Sequence, residues 1–192
     1  MNPQQHRRWL AEQAARCMSE MAIDDPMLAL RRVLGRHGDR SDRRLWPKAE
    51  EIQAALRDYQ RLFHGERQDR ELQIRRAAAR QAMRFLSAFR PLLVGAVLDG
   101  TADIHSPVQL HLHCDEAEAV LRFLQEQDIA HRVGERRIHV RPDHVEAVPC
   151  VQLQADGIDF ELWLLPAISE WQTPMLQDGH TPMPRCTLAA IP

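Results

Sequence analysis

The sequence lacks most of the features that mark membrane, secreted and zinc-knuckle proteins. Hydrophobic residues make up 44% of its 192 positions, yet they never form an apolar run long enough to cross a bilayer, so no membrane partner is expected. The amino-terminal stretch MNPQQHRRWLAEQAARCM carries charges with no continuous apolar core behind them, unlike a secretory signal, and a cytoplasmic location is the expectation. There is no CxxC pair. The four cysteines, Cys17, Cys114, Cys150 and Cys186, stand far apart, which fits reduced thiols better than a disulfide framework or a metal knuckle. No GxxxxGK[ST] loop occurs, which excludes the Walker mode of phosphate binding and the ATP-dependent ligases that rely on it. Net charge is nearly absent, at −2 with histidine neutral, so no global field draws the molecule to nucleic acid. No internal repeat is visible.

What is present divides near Arg90-Pro91, where helical patterning gives way to short apolar runs separated by turns. Residues 4–21 place Leu10, Ala14, Cys17, Met18 and Met21 at helical spacing. Asp24-Asp25-Pro26 then supplies a cap and a first-turn proline for a second helix over 26–37, ended by Gly38. Pro47 opens a third helix that runs to about Gly65, with Ile52, Ala55, Leu56, Tyr59 and Phe63 on one face. A fourth, over 69–89, carries Ile74, Ala78, Ala82, Phe85 and Phe89 as its apolar stripe, and Arg75, Arg76, Arg80 and Arg84 as its solvated side.

Beyond the divide, residues 92–98 read as a buried strand. Residues 108–113 read as a half-buried one, with Val108, Leu110 and Leu112 alternating with Gln109, His111 and His113. Asp115 is placed to cap a helix carrying Ala119, Val120, Phe123 and Leu124. Strands are predicted over 136–141, 148–154 and 158–164, the last following the hairpin signal Asp156-Gly157. The fold class is therefore α+β: a small mixed sheet with flanking helices, preceded by an N-terminal helical region. The predicted organisation is a helical region over 1–66, the sheet domain over 67–166, and an extended tail over 167–192. The tail is expected to lie against the body or a neighbour because it holds Trp171, Met175, Met183, Leu188 and Ile191; a homo-oligomer is one way to cover them.

Val94-Gly95-Ala96, followed after a loop by Pro107-Val108-Gln109-Leu110, resembles the hG[GS] … DhDh signature of the polymerase-β-type nucleotidyltransferase superfamily. The longer string AMRFLSAFRPLLVGAVLDGTADIHSPVQLHLHCD, with ALRDYQRLF upstream, is similar to small bacterial nucleotidyltransferase-like proteins. The resemblance spans about residues 77–166. It implies a nucleotidyltransferase-like sheet in which the glycine element holds nucleotide phosphates and carboxylates on two neighbouring strands bind a pair of divalent ions. Here Ala96 stands at the usual serine, Pro107 at the first carboxylate and Gln109 at the second. Only the third is matched, by Asp159 or Glu161, which are thus the catalytic candidates. The implied cofactors are a divalent metal with a nucleotide.

Other residues offer further chemistry. Gly95, Gly100, Thr101 and Ser106 are candidates to meet phosphate oxygens, the loop Asp99-Gly100-Thr101-Ala102 through its backbone N–H groups. His105-Ser106 suggests an imidazole beside a hydroxyl but has no orienting acid. Alternation puts His111 and His113 on the side of Gln109, and Asp159 and Glu161 on one side of their strand; if the strands are neighbours, these four could hold a zinc or manganese ion. Arg136, Arg137 and Arg141 in GERRIHVRP could meet a phosphate or an RNA backbone, although no aromatic residue interleaves them. The leading expectation is a nucleotide- or phosphate-binding or regulatory module. Behind it stand an active nucleotidyltransferase with atypical metal ligation, and a helical interaction partner of a toxin–antitoxin or assembly system.

Overall fold

The computed structural model describes residues 2–21, 23, 25–37, 43–63, 65–141, 144–176 and 179–192. The fold is α+β, as its pattern of elements predicts. It forms two compact units, residues 1–70 and 71–192. Among the described residues, no helix is long and apolar enough to cross a membrane.

The first unit holds α1 (Pro3–Met21), α2 (Pro26–His37), α3 (Ala49–Phe63) and the opening turns of α4 (Gly65–Phe85). α1 packs on both α2 and α3. Leu10, Leu30 and Ile52 are fully buried among Ala11, Ala14, Ala15 and Ala29, small residues that let the helices approach closely. Each such large aliphatic side chain contributes roughly 1.5–3 kcal/mol. Asp25 caps α2 as expected: its Oδ1 accepts the N–H groups of Met27 at 2.7 Å and Leu28 at 2.8 Å. Glu51 in the first turn of α3 accepts the Lys48 N–H at 2.7 Å and a forked pair of bonds from Arg7 of α1. Asp24, Gly38 and the Phe63 side chain lie outside the described residues.

The second unit is a five-stranded mixed sheet in the order β1-β2-β5-β4-β3, built from β1 (Leu92–Val94), β2 (Val108–His113), β3 (His131–Arg141), β4 (His144–Ala155) and β5 (Ile158–Leu165). β2 and β5 run parallel, in the register Gln109↔Glu161 and His111↔Trp163, and the remaining neighbours are antiparallel. Asp156 and Gly157, at φ 50° and 76°, form the two-residue β4–β5 turn with the left-handed backbone that such hairpins require. One sheet face carries Leu110, Leu112, Val151, Leu162 and Leu164 into a core with Met83 of α4 and with Val120 and Leu124 of α6 (Ala117–Glu126).

Several local expectations are corrected. Residues 92–98 do not continue as a strand: Gly95, at φ 71°, turns the chain into the short helix α5 (Gly95–Asp99). Asp115 does not cap α6; Glu116 holds the cap position and makes no side-chain cap bond. The strands expected over 136–141 and 148–154 are parts of one longer hairpin, β3 and β4. α4 ends at Phe85, and its buried stripe is Leu72, Arg75, Ala79 and Met83, whereas Ile74 and Phe85 are exposed. Arg75 sits in the apolar stripe, which shifts the true face away from the one that hydrophobicity alone selects. β2 is not half-solvated, because all six of its residues are buried.

The second face of β2 is covered by the tail. Cys186 exchanges backbone bonds with Leu93 of β1, at 2.9 and 3.0 Å. Met175 bridges to His139 of β3 and also to Pro182, and Met183 packs on Ile138, Val148, Cys150, Trp163 and Leu165. Arg90 pairs with Glu170 at 2.9 Å, and Arg185 donates to the carbonyls of Ser169 and Glu170. The tail is thus strapped from one sheet edge to the other. Trp171 is the exception, standing 82% exposed rather than packed.

Candidate functional site

The site begins with Gly95. A side chain there would overlap the Gln109 carboxamide, so the missing Cβ serves both the left-handed backbone and the close approach of β2. Gln109 Nε2 donates to Glu161 Oε2 at 3.1 Å, and Arg136 of β3 donates to the same oxygen at 3.2 Å. The Arg136 guanidinium also lies 5.3 Å from the centroid of the Trp163 ring. Where the resemblance implies two further carboxylates the sequence has Pro107 and Gln109, and Arg136 brings a guanidinium to the remaining acid.

Of the two acidic candidates, only Glu161 lies in this centre, in register with Gln109. Asp159 is exposed and accepts a hydrogen bond from Gln154 Nε2 at 2.9 Å. Cys150, opposite Trp163 in the ladder, is held as the thiol: burial, reinforced by the Glu161 charge, pushes it up to about 11.

The loop that leads from α5 to β2 directs its donors inward. The N–H groups of Gly100, Thr101 and Ala102 all point to the Ala96 carbonyl. Those of Asp103 and His105 go to Ser106 Oγ and Asp103 Oδ1, and that of Ser106 goes to the Asp103 carbonyl. The Ser106 hydroxyl itself donates to Asp103 Oδ1 at 2.9 Å. Arg75, only 4% exposed, reaches from α4 to accepting carbonyls of Ile104 at 2.5 Å and Ser106 at 2.8 Å, while Glu71 holds its other end at 2.7 Å. A loop whose N–H groups are engaged in this way presents no backbone cradle to a phosphate. Arg141 is remote from it, on the strand at the opposite edge of the sheet from β1.

His111 and His113 share the face of Gln109 but are turned into the interior. The His111 ring lies 5.0 Å from Trp163 and 6.5 Å from His113, measured between centroids. Among the described residues, neither nitrogen of His111 has a hydrogen-bond partner, and His113 Nε2 and Trp163 Nε1 have none either. His113 Nδ1 lies 2.8 Å from the Arg90 carbonyl, which requires the proton on that nitrogen. Burial, helped by the neighbouring His113 and by Arg185, pushes His111 down to about 3, and burial likewise lowers His113. Among the described residues, no three His, Cys, Asp or Glu side chains gather as metal ligands would, so His111, His113, Asp159 and Glu161 are not brought together as a set.

Two elements of this arrangement escape a reading of the sequence. Arg136 stands out only as one of several arginines in a basic strand, and its link to Glu161 depends on β3 and β5 flanking β4. Arg75 does leave a signal: a cation four residues after Glu71, inside the stripe from Leu72 to Ala79. The chain matches no protein-family model, no curated protein and no solved structure.

Proposed function

We propose that the chain is a non-catalytic, regulatory binding module built on a nucleotidyltransferase-like scaffold. The succession of strand, glycine turn, short helix and strand, with Gln109 beside an acid of the next parallel strand, supports the scaffold. The observation that carries the reading is the sharing of Glu161 Oε2 by Gln109 and Arg136. A pair of divalent ions needs several anionic oxygens to clamp the attacking and leaving groups. The residues present do not fit that pair: Glu161, the half-buried acid of this centre, already accepts two hydrogen bonds, and the guanidinium brings positive charge to its side. The inward-turned loop also speaks against phosphate capture through the backbone, which leaves side-chain contacts to a partner as the favoured mode of binding.

The test is incubation of the purified chain with labelled nucleoside triphosphates, Mg²⁺ or Mn²⁺, and pooled protein and RNA acceptors. No transfer is expected, since each missing electrostatic partner removes about 2.7–4 kcal/mol of transition-state stabilisation. Robust labelling that Glu161→Ala abolishes would replace this reading with an enzyme of atypical metal ligation.

A further inference from the structure

We propose that the open edge of β3 is a docking site for an acidic, extended segment of another protein, which adds to the sheet as a further strand. The inference goes beyond the reading of the Glu161 centre and does not depend on it.

Two observations fix which backbone groups point outward. The His139 carbonyl accepts the Met175 N–H at 2.7 Å, from outside the β3–β4 hairpin. Glu135 is paired with Pro149, which has no N–H to give, so that pair cannot be one that exchanges hydrogen bonds across the hairpin. The irregularity in the ladder lies beyond His139. The period of two therefore turns the N–H and C=O groups of His131, Val133 and Glu135 outward as well, and among the described residues none of them meets a backbone partner.

The protein already uses this edge. Met175 bridges to it in the antiparallel sense, and its next neighbour across the tail hairpin is Pro182. Among the described residues the tail's backbone pairs with β3 at His139 and not over 131–137, the lower half of the strand, while the opposite edge of the sheet, at β1, is met by Cys186. The lower half is also basic: between His131 and Arg141 the only acid is Glu135. Arg132 and Arg137 are exposed, on opposite faces of the strand, and neither has a carboxylate partner among the described residues. Val133, 54% exposed, stands between them.

These features define the occupant. Unpaired main-chain donors and acceptors call for a peptide backbone, which a nucleic acid does not offer. The arginines call for carboxylates on both faces of the added strand, and Val133 for a β-branched residue opposite it.

The probe is a fluorescein-labelled peptide, Asp-Glu-Thr-Val-Thr-Val-Glu-Asp, whose acids fall on both faces of an extended strand, titrated with the full chain and followed by anisotropy. Saturable binding is expected, weakened at least tenfold by N-methylation of alternate peptide amides and at least tenfold by Arg132→Glu with Arg137→Glu. Glu135→Pro should act likewise, because it deletes an outward donor without touching the β4 ladder. Far-UV circular dichroism and the melting transition check that each variant is folded, and if the proline variant is not, the charge-reversed one decides. Absence of saturable binding would overturn the proposal, as would a methylated peptide that binds as well as the parent. A uridine oligomer of equal charge that binds more tightly and displaces the peptide would overturn it in favour of a nucleic-acid surface.

Discussion

Acidification from about pH 7.5 to about pH 5 should weaken the sheet unit by about 2 kcal/mol through His111 alone. The imidazole is wholly buried, both nitrogens are without a partner among the described residues, and burial pushes it down to about 3 in the folded chain. In the unfolded chain it titrates near about 6.5. A group whose folded pKa is depressed contributes fully above the unfolded value and loses that contribution as the pH falls. The window here therefore opens near 6.5 and closes near 3. Each unit within it costs about 1.4 kcal/mol, and His113, lowered in the same direction, steepens the slope. A total stability of about 5–15 kcal/mol makes this a large fraction.

Urea unfolding followed by far-UV circular dichroism at the two pH values measures the loss. Carboxylates that are hydrogen-bonded in the native chain, such as Glu51, lose stability with acid in the same sense, so the decisive comparison is with His111→Leu. That variant keeps approximately the volume of the ring and removes two unpaired buried nitrogens, so it should be neutral or stabilising near pH 7.5. Near pH 5 it should exceed the parent by about 2 kcal/mol more than it does near neutrality. Equal pH dependence in the two proteins would refute the reasoning, because it would mean that the imidazole is solvated or paired when folded.

Gly95→Ala should destabilise by about 1–2 kcal/mol from the left-handed backbone, plus the cost of the overlap with Gln109; Gln109→Ala in the same chain should relieve the second part and not the first, as a double-mutant cycle in urea would report. Arg75→Ala should cost about 3–5 kcal/mol, since it strips Glu71 and two carbonyls of a buried partner. Arg75→Lys should restore little of this in the same unfolding assay, because an ammonium lacks the guanidinium fork. Trp171→Ala should change stability by less than about 0.5 kcal/mol, given the exposure of the ring, and a melting temperature lowered by many degrees would contradict the exposed position.

Much of this fold is legible in the sequence because its main elements obey simple periods. The Asp25 cap, the Asp156-Gly157 turn and the alternation in β2 and β5 each have one local cause, and each stands in the structure where that cause puts it. The failures share a different origin. Arg75 makes a buried stripe look amphipathic in the wrong direction, because hydrophobicity does not record that a guanidinium with a carboxylate and two carbonyls around it can be enclosed. Val94-Gly95-Ala96 looks like the middle of an apolar strand, because the need for a left-handed glycine arises from Gln109, a residue on another strand.

β2 shows most directly where local pattern ends and tertiary context begins. Strict alternation correctly assigns Gln109, His111 and His113 to one face, and it carries no information about what lies above that face. The tail decides this by crossing from Met175, beside β3, to Cys186, beside β1. Its cover changes the chemistry of the residues beneath. In water, two histidines on one strand face would titrate near neutrality and be open to metal. Under the tail they are buried rings, His111 beside Trp163 and His113 bonded to the Arg90 carbonyl, and the polar function of the face contracts to Gln109, Glu161 and Arg136. A strand that reads as a metal-binding surface is thereby turned into a second core, whose stability is tied to pH by the residues that gave it the look of a site.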